Sequence, residues 1–166
     1  GYNAAISACA GDGGSWEIAI SLLEALPEIR ARPNEVTLGA VLDAQRGEGA
    51  WRRSLGMVRE MLDVQVRLNV VSCSAAISSC APSGRWQPAL SLFAGMSWLV
   101  VIPNEISRNA VIATCERSGR WQLALALLYS LLALHALPGV AGFSSAISAC
   151  EKSGQWQRAL VLLGAM

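Results

Sequence analysis

Charge is scarce in this chain. Only 15% of its 166 residues are Asp, Glu, Lys or Arg, and thirteen basic against twelve acidic side chains leave a net charge of +1. A protein that held nucleic acid by backbone electrostatics alone would be clearly basic, so composition does not announce such a partner. Histidine occurs once, as His135, and no C-x-x-C pair is present. No serine, cysteine or carboxylate has a base or metal ligand recurring beside it, which speaks against a catalytic centre, a metal, a cofactor or a small-molecule substrate. Membrane-length apolar runs are lacking too. The most apolar stretch, Leu123 to Leu137, gives 14 residues from Trp121 to Leu134 before His135 interrupts it. A span needs about 18–20, so no membrane is expected as a partner. Disorder is excluded from the other side, because 53% of the residues are hydrophobic.

What is present is a ladder. Trp16, Trp51, Trp86, Trp121 and Trp156 recur every 35 residues. Self-similarity at a period of about 20–50 residues marks a solenoid or propeller, so the repeat, not the chain, is the unit of folding. Gly14, Gly49, Gly84, Gly119 and Gly154 stand two residues before each tryptophan, and Ala19, Ala89, Ala124 and Ala159 three after, with Ser54 in the second repeat. The frame closes on Pro33-Asn34, Leu68-Asn69, Pro103-Asn104 and Pro138-Gly139. One continuous array over 1–166 follows: repeat 1 at 1–34, incomplete at its start, repeats 2 to 4 at 35–69, 70–104 and 105–139, and repeat 5 at 140–166, cut short. The chain opens on Gly1 and stops inside a repeat at Met166, so a piece of a longer array is expected, with any targeting segment outside it.

Each frame reads as two helices, which makes the fold all-α. In repeat 3 the first helix is expected over Val70 to Ala81, where Ala75, Ala76 and Ile77 sit among serines that allow a neighbouring backbone close. Pro82-Ser83-Gly84 stops it. The second, Arg85 to Met96, carries Trp86, Ala89, Leu90 and Phe93 at steps of three and four, one helical face, with Pro88 tolerated in its first turn. Short turns make each pair an antiparallel hairpin, and the hairpins stack into an α-solenoid superhelix. Longer, apolar second helices are expected at the back of the stack and small, polar first helices on its concave side. The tryptophans are expected to anchor one repeat to the next and to be silent in function. Cys9, Cys80, Cys115 and Cys150 share one column, with Cys73 out of phase. Neighbouring helices about 8–10 Å apart are too distant for disulfides between them, so these are expected to be small packing residues in a reducing compartment. The run Trp98-Leu99-Val100-Val101-Ile102 has two readings, local packing or contact with a partner.

Two polar columns remain. The fifth residue of each frame is Asn3, Gly39, Ser74, Asn109 or Ser144, and the last is Asn34, Asn69, Asn104 or Gly139. They meet at the mouth of each repeat, since the last residue of one unit directly precedes the first helix of the next. The asparagines suit N-caps, with Glu35 or Glu105 in the first turn that follows, and they equally suit ligand reading. Both roles stand open.

With the segment Tyr2-Asn3-Ala4-Ala5-Ile6, the run Lys152-Ser153-Gly154-Gln155-Trp156-Gln157-Arg158-Ala159-Leu160 and the Pro-Asn closures, the chain resembles the pentatricopeptide repeat family along its whole length. The tetratricopeptide repeat, a protein-binding scaffold, shares the hairpin but has a 34-residue period and another pattern of large and small residues; it is the alternative, with a protein partner. The resemblance implies single-stranded RNA read at about one base per repeat. It assigns base reading to Asn3, Asn34, Asn69, Ser74, Asn104, Asn109 and Ser144, and stacking between bases to Val36, Val71 and Ile106, with Ala141 in the same column. Carried over pair by pair, Asn3 with Asn34 implies a pyrimidine, cytosine favoured; Ser74 with Asn104, adenine; Ser144, a purine. Gly39 has no side chain to read with, and Asn109 with Gly139 keeps only a lean to pyrimidine. Where the family places a phosphate-binding lysine, this chain has Gly11, Gly47, Pro82, Arg117 and Lys152, so only Arg117 and Lys152 are cationic. The resemblance also implies a mitochondrion or chloroplast, and RNA processing, stability or translation as the setting.

Overall fold

The computed structural model describes residues 49–63, 68–133 and 139–166, with residues 5, 8, 18, 21 and 41 singly. Seven helices are found among them: α1 Ala50–Asp63, α2 Val70–Cys80, α3 Trp86–Trp98, α4 Glu105–Arg117, α5 Trp121–Ala133, α6 Val140–Lys152 and α7 Trp156–Ala165. The architecture is all-α, a solenoid of helical hairpins. Among the described residues no helix is long and apolar enough to cross a membrane.

The turn inside each hairpin follows from its glycine. Gly84, Gly119 and Gly154 have φ of 59°, 68° and 71°, the left-handed region that a Cβ disfavours. The amide after each glycine donates to the carbonyl of the cysteine five residues back: Arg85 to Cys80 at 3.1 Å, Arg120 to Cys115 at 2.9 Å and Gln155 to Cys150 at 2.8 Å. The glycine's own amide donates three residues back, as from Gly84 to Ala81 at 3.0 Å. This pair of bonds is the Schellman closure, which satisfies the last carbonyls of the first helix and turns the chain into the second. The same closure ends α3, where Val101 donates to Met96 at 2.9 Å, but there the left-handed position is held by Val100, at φ 57°.

First helices run along one another, α2 on α4 and α4 on α6, and each also packs on the second helices before and after it. Among the described residues, second helices make no comparable contact among themselves. The second helix is the longer in repeat 3, 13 residues against 11, and the two helices of repeat 4 are equal at 13. The small-residue first helix of repeat 3 is the better buried: α2 buries Ser72, Cys73, Ser74, Ala75, Ala76, Ile77 and Cys80, whereas α3 buries only Ala89 and Met96. Small side chains let neighbouring helices approach on both sides, so the helix with least apolar bulk touches the most neighbours. Ile77, Ile112 and Leu128 are fully enclosed, each contributing about 1.5–3 kcal/mol on the transfer scale.

The tryptophans join repeats through cations. The Arg85 guanidinium lies 5.1 Å from the Trp51 ring centre, Arg120 lies 5.1 Å from Trp86, and Arg158 lies 4.8 Å from Trp121. In each case the arginine belongs to the following repeat. Trp51, Trp86 and Trp121 are half-buried against the core, and Trp156 is exposed.

Candidate functional site

The polar columns sit where the sequence puts the end of one frame against the first helix of the next. Asn69 and Asn104 have extended backbones ahead of α2 and α4, and each side chain caps its helix: Ser72 N donates to Asn69 Oδ1 and Ser107 N to Asn104 Oδ1, both at 2.9 Å. The capping role is therefore real. It also orients the chemistry that remains, because the cap turns the amide oxygen towards the helix, using one of its lone pairs, and leaves Asn104 its NH2 group as a donor.

Repeat 3 brings its two columns together. Ser74 Oγ lies 3.5 Å from Asn104 Oδ1, and its proton goes to Val70 O at 2.6 Å. Only 4% of Ser74 is exposed. A hydroxyl whose proton is committed to its own helix can offer a ligand only its lone pairs. Beside this enclosed pair the stacking column stands open: Val71 is 52% and Ile106 63% exposed, apolar side chains held out of the core in successive repeats. Ala141 and Ser144 are exposed and Asn109 is half-buried. In repeat 4 the pair is not formed, since Gly139 caps α6 without a side chain. Asn3, Asn34 and Val36 lie outside the described residues, as does Gly39.

Of the two expected phosphate contacts, Arg117 is exposed and Lys152 is engaged. Lys152 Nζ forms an ion pair at 2.7 Å with Glu116 Oε1 of the preceding repeat, which also accepts from Ser148 Oγ at 2.9 Å. Burial pushes the Glu116 carboxyl up, but the hydrogen bonds from Lys152 and Ser148 and the Lys152 charge outweigh it and hold the group below its usual range. Lys152 thus has a competitor for any phosphate. The cations that sequence reading missed are Arg85, Arg120 and Arg158. The signal for the first two was Arg-Trp in adjacent positions of repeats 3 and 4. Arg158 could not be found that way, because Gln155 holds that position in repeat 5.

The four described cysteines are packing groups. Cys73, Cys80, Cys115 and Cys150 are buried and unpaired by disulfide. Burial pushes the thiols of Cys73, Cys80 and Cys115 up from 9.0 to about 11, and that of Cys150 in the same direction. Among the described residues no group of three or more His, Cys, Asp or Glu side chains is placed to hold a metal.

Packing fails as the account of Trp98. Trp98 is 89% and Val100 91% exposed, with Ile102 also out, while Val101 is buried and Leu99 packs on the core. Next to Trp98 a groove of about 420 Å³ runs between α1 and α3, lined by Leu55, Leu62, Pro88, Leu92, Gly95 and Leu99.

The model of the PPR repeat family matches residues 71–99 and 143–166, each beginning within a first helix and extending into the second. Those two segments of the chain match the pentatricopeptide repeat. The fold agrees over almost its whole length with solved members of that family. The crystal structure of the pentatricopeptide repeat protein PPR10 in complex with an 18-nt psaJ RNA element superposes with a TM-score of 0.81 at 21% identity, covering 99% of this chain and 23% of that one. PPR10 from maize gives 0.71 at 22%, covering 99% and 28%. The PPR domain of Arabidopsis thaliana protein-only RNase P 1, crystallised with tRNA, gives 0.70 at 16%, covering 95% and 79%. The chain therefore spans about a quarter of PPR10 and most of the second protein's PPR domain. No curated protein matches it.

Proposed function

We propose that this pentatricopeptide array binds single-stranded RNA, one nucleotide per repeat, as a binding module and not as an enzyme. The observation that carries the reading is repeat 3: an enclosed polar pair, Ser74 with Asn104, flanked by the exposed aliphatic side chains Val71 and Ile106. A base sliding between two such side chains is stacked on both faces, and its edge then meets the polar pair. Its likeness in fold to proteins crystallised with RNA supports the same reading. In this account the array runs unbroken over 1–166 in the five frames given above. Asn3, Asn34, Asn69, Ser74, Asn104, Asn109 and Ser144 face bases, Val36, Val71 and Ile106 stack on them, and Arg117 and Lys152 meet phosphate. The setting we propose is RNA processing, stability or translation in a mitochondrion or chloroplast.

A second reading, a protein-binding scaffold, is favoured by one observation, the protruding Trp98 and Val100 beside an apolar groove. Fluorescence anisotropy with labelled RNA separates the two. Base stacking requires unpaired strands, so single-stranded RNA should bind at low salt and a duplex of the same sequence should not compete. Equal competition by the duplex, or no binding by the folded array, overturns the proposal.

A further inference from the structure

Glu105 occupies the place that the closing side chain of repeat 4 leaves empty. The closing residue there is Gly139, and a Cβ built on it would collide with the Glu105 carboxylate. Glu105 is the exposed first residue of α4, so its side chain reaches across to the start of α6 and fills the notch that Asn104 fills in repeat 3. Asn109 follows four residues later, one turn along the same face of α4. Its Oδ1 is buried and has no hydrogen-bond partner. The notch of repeat 4 therefore presents the two carboxylate oxygens of Glu105 as acceptors, with an unpaired amide oxygen buried one turn along the helix. In the sequence the frame at 35–69, whose glycine, Gly39, is in the other polar column, also opens on a glutamate, Glu35, whereas repeat 3, with Ser74 and Asn104, opens on Val70.

Resting on the base-reading function proposed above, we infer that Glu105 is the specificity-determining residue of repeat 4 and that it selects guanine. Guanine has two adjacent donors on its Watson-Crick edge, N1–H and the N2 amino group, which match the two oxygens of one carboxylate. Adenine and cytosine set a single amino donor beside a ring nitrogen whose lone pair the carboxylate repels. Uracil sets one imino donor between two carbonyl oxygens. The pyrimidine lean drawn from Asn109 alone gives way, because the notch is not empty.

The test is selection of the chain against a pool of randomised single-stranded RNA, with Glu105→Ala and Glu105→Gln beside the parent and a thermal melt of each. The parent should enrich guanine next to the adenine opposite repeat 3. Both variants should lose about 10-fold of that guanine preference and leave the neighbouring adenine untouched; Glu105→Gln keeps the side-chain volume, so its loss isolates the acceptor chemistry. Adenine enrichment without guanine beside it, or guanine enrichment that survives both variants, overturns the role of Glu105 and leaves base reading standing. A lowered melting point with unchanged base preference also overturns it, since the carboxylate would then serve only the start of α6. If the folded parent enriches no RNA, base reading itself falls and this assignment with it.

Discussion

Replacing Asn104 by alanine removes two functions at once, and Asn104→Asp separates them. The alanine variant strips the acceptor from Ser107 N, now bonded at 2.9 Å. Ser107 is fully buried in the parent, so its amide depends on this acceptor. Loss of a cap costs about 0.5–2 kcal/mol and an unsatisfied buried amide about 1–3. These are one bond counted twice, and the burial of Ser107 puts the expectation in the overlap, about 1–2 kcal/mol. For a chain of this size that lowers a melting midpoint by roughly 2–8 °C. Aspartate caps as well as asparagine, so Asn104→Asp should melt within roughly 2 °C of the parent. It nevertheless has no NH2 group to present beside Ser74, so its preference for adenine at repeat 3 should fall. Circular dichroism melts and RNA selection on the same three proteins read both effects. If Asn104→Ala melts with the parent, or Asn104→Asp is as destabilised as Asn104→Ala, the account of Asn104 as a cap with a spare donor is wrong.

Val100→Gly should raise stability by about 1 kcal/mol: the valine holds φ 57° with its side chain in solvent, a left-handed residue costs roughly 1–2 kcal/mol, and glycine's extra chain entropy returns part of that. A lower midpoint would show that Val100 packs in a way its exposure hides. The array should lose stability in alkali. Thiols whose folded value is raised from 9.0 to about 11 bind their protons more tightly in the native state, so their contribution is whole below pH 9 and is lost as pH climbs towards about 11. Cys80→Ala should flatten that fall in pH-dependent melts, and an unchanged slope would contradict the burial argument. Two phosphate contacts give a slope of roughly −1.4 for log affinity against log salt, and Lys152→Ala should reduce its steepness by about 0.7. A parent slope steeper than about −4 would place the binding surface elsewhere.

The hairpins were legible because their causes are local. A glycine two residues before a tryptophan can be seen in the sequence, and so can the left-handed turn that it serves; alternating small and apolar faces then place the two helices to within a residue or two at Val70–Cys80 and Trp86–Trp98. Asn69 and Asn104 were legible as caps for the same reason, and their second role was left open because capping and reading ask for the same side chain. What stayed hidden lies across repeats. Arg120 reaches the ring of Trp86, Lys152 reaches Glu116, and Glu105 reaches Gly139, and each pairing depends on how far one hairpin is rotated on the next, a quantity that no single frame contains. Ser74 shows the same limit from inside: its polarity suggested an open contact, and burial by α4 made it an enclosed one.

The central claim, that the Ser74 and Asn104 pair reads one base, is tested most directly by Ser74→Asn in RNA selection. The account predicts that the parent enriches adenine at one nucleotide and that Ser74→Asn moves this single position towards pyrimidine with its neighbours unchanged. A folded parent that enriches no sequence, or a variant that selects the same bases as the parent, would contradict it.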